Sequence, residues 1–195
     1  MEKPLTGKKV AVLVADGFEQ AEMTEPRRAL EDAGAVVDLV SPNPDVVRAW
    51  SHTEWGDSFG VDAQLGAADI DSYDALMLPG GVMNPDKLRL NTAALDFIRT
   101  FFEAGKPVAA ICHAAWTLID AGVVRNRKLT SYRSLRSDLK NAGATWVDQA
   151  VVVDKGLVTS RRPDDLPQFL PKMIEEFCEG IHPEQKQATE QSLRI

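Results

Sequence analysis

The chain has 195 residues, 44% of them apolar and 26% charged, enough for one ordinary domain with a proper core. Its formal net charge of −7 argues against nucleic acid or an anionic membrane as the main partner. No apolar run reaches the ~18 residues that a membrane span needs. The first nine residues lack the apolar centre of a signal peptide, and two cysteines, Cys112 and Cys178, make no framework, so a reducing cytoplasm with free thiols is expected.

In chain order, residues 8–15 form an apolar run that reads as a strand, ended by the turn pair Asp16-Gly17. Residues 18–33 read as a helix carrying Glu19, Glu22 and Glu25, and residues 35–40 as a second strand. This strand–helix–strand order with short links predicts a parallel α/β sheet with a right-handed crossover. Residues 46–61, with Trp50, Trp55 and Phe59, read as a small hairpin whose aromatics either line a pocket or an oligomer contact, or are satellite packing. Residues 73–78 supply a third core strand running into Pro79-Gly80-Gly81. A loop or short helical turn over 83–89 and an amphipathic helix over 92–104 follow.

Val108–Ile111 has the pattern of a buried parallel strand, and residues 114–121 that of a helix stopped by Gly122. Cys112 and His113 fall on the seam, where a sharp strand-to-helix turn makes a nucleophile elbow. A helix start beside the thiol favours thiolate. The competing reading is a half-buried structural cysteine. Residues 128–132, 145–147, 150–153 and 157–159 read as short strands, residues 135–142 as a helix, and residues 164–179 as a closing helix capped at Asp164 or Asp165. The polar stretch 182–195 is expected to be a tail, or a segment ordered only against another subunit, so the domain is drawn as 1–180 and the tail as 181–195.

Parallel sheets build their sites at the carboxyl ends of strands. Three such ends carry suggestive residues here: 16–22, Gly80-Gly81 and Cys112-His113. If those strands are neighbours, one crevice receives all three. Cys112 is then the candidate nucleophile. His113 is the candidate base, although a direct pair between adjacent residues requires a twisted backbone. The backbone N–H groups of Gly81 and His113 are candidate oxyanion donors. Glu19 and Glu22 share one helical face; they either complement the helix dipole, or one turns inward, protonated, to donate to the Cys112 sulfur. His182-Pro183-Glu184 imitates the later His-x-Glu of an amidotransferase triad, but it follows a helix and Gly180 rather than a strand, and is set aside. No metal-ligand spacing, phosphate loop or dinucleotide fingerprint occurs, so neither a metal nor another cofactor is expected.

Taken together, Phe18-Glu19-Gln20-Ala21-Glu22, Leu78-Pro79-Gly80-Gly81, Ala110-Ile111-Cys112-His113 and Thr159-Ser160-Arg161-Arg162-Pro163-Asp164-Asp165-Leu166 resemble the PfpI-type intracellular proteases. Their superfamily includes the Parkinson's-associated protein deglycases and the class I glutamine amidotransferases. The resemblance covers residues 8–179. It implies a flavodoxin-like three-layer sandwich with a mainly parallel sheet and Cys112 at the elbow. By the same matching, Glu22 is the carboxyl that bonds the thiol, Glu19 the acid one turn earlier, and Tyr132 a pocket-lining residue. Asp86 falls at or near the acid that a neighbouring subunit lends to a Cys-His-acid triad, which implies a homodimer or larger homo-oligomer. Two departures stand out. Ala114 replaces the glycine usual after Cys-His, with Trp116 close by to reshape the substrate pocket, and the 82–85 loop is longer than the pattern. The family's activities include glutathione-independent glyoxalase, deglycase and peptidase. A thiolate attacking a small carbonyl suits a shallow elbow better than a folded protein substrate does, so glyoxalase or deglycase chemistry is expected. The alternatives are an oligomeric cysteine peptidase acting on peptides and a redox-sensing stress protein oxidised at Cys112.

Overall fold

The computed structural model describes residues 3–193. Its first half comprises β1 (Lys9–Leu13), α1 (Gln20–Asp32), β2 (Val36–Ser41), the hairpin strands β3 (Val46–Ser51) and β4 (Glu54–Gly60), the short β5 (Ala63–Gln64), and β6 (Ala75–Leu78). Then come α2 (Met83–Leu88), α3 (Thr92–Glu103), β7 (Val108–Ile111) and α4 (Ala115–Asp120). The last part holds β8 (Lys128–Leu129), α5 (Arg136–Asn141), β9 (Thr145–Trp146), β10 (Val151–Asp154), β11 (Leu157–Ser160), α6 (Leu166–Glu179) and α7 (Pro183–Leu193).

Seven strands make one sheet in the order β10-β11-β7-β6-β1-β2-β5. Every neighbouring pair in it is parallel except β10 with β11. The near-continuous apolar strands follow from burial on both faces. In β1, Val10 and Val12 join a core with Met23 and Leu30 of α1 and Phe169, Met173 and Phe177 of α6. Ala11 and Leu13 point the other way, toward Phe97, Ile98, Phe101 and Phe102 of α3, Leu118 of α4 and Leu139 of α5. This alternation is the strand period of two, and it sorts the helices into two outer layers. The expected α/β sandwich is therefore observed. Among the described residues no helix is long and apolar enough to cross a membrane.

The order β7-β6-β1 brings together the three strand ends that carry the candidate site. The hairpin β3–β4 docks beside them: Trp50 N–H donates to Phe18 O at 2.7 Å and Gly17 N–H to Arg48 O at 2.8 Å. Phe59 packs on Phe18 as satellite core.

Two expectations are corrected. The 182–195 segment is no tail: residues Pro183–Leu193 form α7, seated against α3. Its composition hid this, because α7 is held by polar contacts rather than an apolar stripe. The fully buried Arg127 guanidinium donates to Gln185 O (3.1 Å) and Thr189 Oγ1 (3.3 Å), Ser192 Oγ donates to Arg125 O (3.0 Å), and the Gln185 amide bonds Lys106 O. The final two residues lie outside the described ones. The second concerns α6: Asp165 holds its N-cap position as expected, but its side chain makes no capping bond. A 3-10 turn, Pro163–Asp165, leads into the helix, and the Asp165 carboxylate is taken by a two-pronged bond from Arg161 at 2.8 and 3.0 Å.

Candidate active site

The strand β7 ends at Ile111, and the chain turns at Cys112 into a 3-10 turn (Cys112–Ala114) before α4. Cys112 sits at φ +64°, a left-handed conformation rare for a residue with a side chain. That twist supplies what a direct cysteine–histidine pair requires. Cys112 Sγ and His113 Nδ1 are 3.2 Å apart, although the two residues are adjacent. The other ring nitrogen, Nε2, lies 3.2 Å from Ser134 Oγ. Tyr132 stacks on the imidazole at 4.6 Å between centroids, and its backbone N–H donates to Cys112 O at 3.1 Å.

Glu22 enters from α1, wholly buried, and its Oε2 accepts from Gly80 N–H at 2.9 Å. Its other oxygen has no hydrogen bond of ordinary geometry, and the Cys112 side chain is the polar group it works against. Gly80 is the spacer between the two. A β-carbon there would lie 2.5 Å from Glu22 Oε2 and 2.6 Å from Cys112 Cβ, too close for any substituent. Gly81 has φ +79°, and a β-carbon on it would meet Glu19 N and Gly17 O at 2.7 Å.

Burial pushes the Glu22 carboxyl up to about 8, partly offset by bonds from Cys112 and from Gly80 N–H. The Cys112 thiol is also pushed up, first by burial and then by the charge of Glu22, while the backbone N–H groups of Gly81 and His113 pull it back down. The upward direction runs against the thiolate expected from a helix start. The reason is physical: the sulfur is nearly enclosed, and only a short 3-10 turn faces it. With both groups held up, the carboxyl and the thiol each keep a proton near neutrality. Burial lowers the His113 imidazole, which leaves it neutral there.

A cavity of about 640 Å³ opens over this centre, with Glu19, Trp50, His52, Tyr132, Arg162 and Pro163 among its walls. The structure thus gathers Cys112, His113, Glu22, Glu19, Gly81 and Tyr132. It does not bring in two other candidates. Trp116 sets its ring against the edge of His113 (5.3 Å) and donates to Asp138 Oδ2 (3.1 Å) instead of lining the cavity. Asp86 is exposed on α2, and His113 Nε2 faces Ser134 in its place. His182 lies at the opposite, amino ends of the strands, beside Gly105 and Gly156, which precede β7 and β11. There it pairs with Glu176 at 3.5 Å, and Glu176, Glu179 and His182 bring three metal-ligand atoms within 4.8 Å of one another.

Residue patterns missed Asn84 and Ser134. Asn84 is fully buried, donates to Pro79 O (2.9 Å) and Gly80 O (3.1 Å), and accepts from Ala15 N–H (2.7 Å). It therefore ties the loop after β1 to the loop after β6. A lone polar residue two positions into a short helix carries no periodic signal; its nearness to Gly80-Gly81 was the available clue.

A family model described as the DJ-1/PfpI family matches residues 8–176. The chain belongs to the DJ-1/PfpI family. Within it, the chain is 43% identical over 163 residues to "Protein/nucleic acid deglycase 2" of Escherichia coli, spanning 83% of this chain and 93% of that one. It is 40% identical over 166 residues to "Deglycase PfpI" of Pyrococcus furiosus, spanning 85% and 97%. Among solved structures, Drosophila melanogaster DJ-1beta superimposes with a TM-score of 0.80 at 28% identity, covering 96% of this chain and 98% of that one. The likeness to DJ-1beta extends over nearly the whole chain and agrees with the α/β architecture seen here.

Proposed function

We propose that this protein is a cysteine-dependent enzyme acting on reactive carbonyls, of the glutathione-independent glyoxalase or deglycase type, with Cys112 as nucleophile. The observation that carries this reading is the 3.2 Å approach of His113 Nδ1 to Cys112 Sγ beneath a cavity of about 640 Å³, beside a buried Glu22 that keeps its proton near neutrality. With the ring proton on Nε2 and directed at Ser134 Oγ, Nδ1 presents a lone pair to the reacting carbon.

As the sulfur attacks the aldehyde carbon of methylglyoxal, the aldehyde oxygen takes the proton of Glu22 and Glu22 takes up the proton of the thiol, giving a hemithioacetal beside a carboxyl that is neutral again. His113 removes the hydrogen on that carbon as a proton, leaving an enediolate; the hydroxyl proton passes to the neighbouring oxygen and the proton on His113 returns at the neighbouring carbon, forming a lactoyl thioester. Water releases lactate and restores the thiol. The N–H groups of Gly81 and His113, which already approach the sulfur, are placed to hold the oxygen that becomes negative during attack. The same first adduct serves a deglycase acting on early aldehyde adducts of amino groups. Asp86, exposed on α2, is available to a second copy of the chain, and an oligomer that lends it remains part of this proposal.

The deciding experiment gives purified protein methylglyoxal without glutathione and measures lactate. Wild type is expected to form lactate and Cys112→Ser to form none; equal output from the two overturns the reading.

A further inference from the structure

A second cavity, of about 690 Å³, adjoins the one at Cys112, and four arginines stand around it: Arg133, Arg136, Arg161 and Arg162, together with Tyr132, Trp146 and one carboxylate, Asp148. In a chain with a formal charge of −7 this is a marked concentration of cations. Arg161 is already neutralised, by its two bonds to Asp165 and one of 2.7 Å to Asp148. Arg162 leans on Asp164 at 3.3 Å in a pair open to solvent, which holds it weakly. Among the described residues, no carboxylate bonds Arg133 or Arg136; the Arg136 guanidinium rests over the Trp146 ring at 5.9 Å. Three aspartates thus stand against four arginines, and the cavity offers a net charge of about +1, carried by the two guanidiniums of Arg133 and Arg136 that no carboxylate bonds.

Tyr132 and Arg162 line both cavities, and Tyr132 is the ring that stacks on His113. A molecule with its carbonyl at Cys112 and an anionic group a few atoms away spans the two across this shared wall. We propose that the arginine cavity is a phosphate subsite of the Cys112 centre, and that the substrates are reactive carbonyls carrying a phosphate monoester. The inference rests on the carbonyl chemistry proposed above. A phosphate monoester carries roughly −1.5 to −2 at neutral pH and has three oxygens for guanidinium forks. A single carboxylate leaves one arginine unanswered.

The test compares wild type with the double variant Arg133→Gln/Arg136→Gln, which alters exposed side chains that do not line the Cys112 cavity. Inorganic phosphate, titrated calorimetrically, should bind wild type and lose about tenfold or more in affinity in the double variant. Bound phosphate should also slow alkylation of Cys112 by iodoacetamide. Turnover of 3-phosphonooxy-2-oxopropanal relative to methylglyoxal, as a ratio of kcat/KM, should be about tenfold or more in wild type and fall toward one in the variant, with methylglyoxal turnover within about twofold. The carboxylate analogue 4,5-dioxopentanoate should gain less than the phosphate does. Equal phosphate affinity in both proteins, phosphate binding without protection of Cys112, or a preference for the carboxylate overturns the proposal. Should wild type leave both oxoaldehydes untouched, yet phosphate bind and protect Cys112 in an arginine-dependent way, the carbonyl chemistry fails and the phosphate site stands.

Discussion

Cys112 and Glu22 meet across a single glycine, with Gly80 N–H bonded to one carboxyl oxygen at 2.9 Å and the space for a Gly80 side chain already filled by both partners. Neither group can retreat, and burial leaves the charged form of each poorly solvated. The pair is therefore a stability element as well as a candidate reactive centre.

The pH dependence follows from Glu22. Its folded value of about 8 lies above the ordinary 4.5, so between these values the native state holds a proton that the unfolded chain has released. Stability from this residue is then greatest at and below about pH 4.5, declines as pH rises, and levels off above about 8. Glu22→Gln, a neutral isostere, should flatten the slope of unfolding free energy between pH 5 and 8, as read by urea titration at several pH values. An unchanged slope would place the raised carboxyl elsewhere.

Gly80→Ala should destabilise the fold by about 2–4 kcal/mol, because the new methyl group meets Ile111 O at 2.7 Å as well as Cys112 and Glu22. Urea midpoints measure the loss, and alkylation of Cys112 by iodoacetamide should report a disturbed thiol in whatever folds.

Asn84→Ala strips one backbone N–H and two backbone carbonyls of their buried partner. A cost of about 2–4 kcal/mol is expected, with Asn84→Asp recovering only the bond from Ala15. Hydrogen exchange at Ala15 should accelerate before exchange in the sheet interior does.

Arg127→Met should loosen the C-terminal helix. The native guanidinium is lowered to about 10 by burial, and it gives up that solvation in return for Asp154 O, Gln185 O and Thr189 Oγ1. Methionine keeps the contact with Phe102 and loses every bond to α7, so limited proteolysis should cut within 183–193 while the Cys112 cavity stays intact.

Much of this was readable in the chain itself. Apolar runs located β1, β2, β6 and β7, because strands buried on both faces leave no room for polar residues. The seam at Cys112-His113 and the double glycine were visible for the same reason: reactive or conformationally special residues interrupt an otherwise apolar pattern. What stayed hidden depends on approach in three dimensions. Ser134 reaches His113 from 21 positions away, and Asn84 bonds Ala15 across 69 positions. Trp116 was placed in the pocket by its nearness in sequence, but one turn of α4 carries it to the far side of the imidazole edge. The 182–195 segment looked unstructured because its docking surface is made of amides and hydroxyls.

That polar seating sets how the molecule comes apart. With little oil-like adhesion, α7 leans on Arg127 and a few neighbouring amides, so denaturants that compete for amide bonds should peel it away ahead of the sheet. The first peptide segment to open would then expose the rim beside Gly105 and Gly156, leaving the thiol at the other rim under cover.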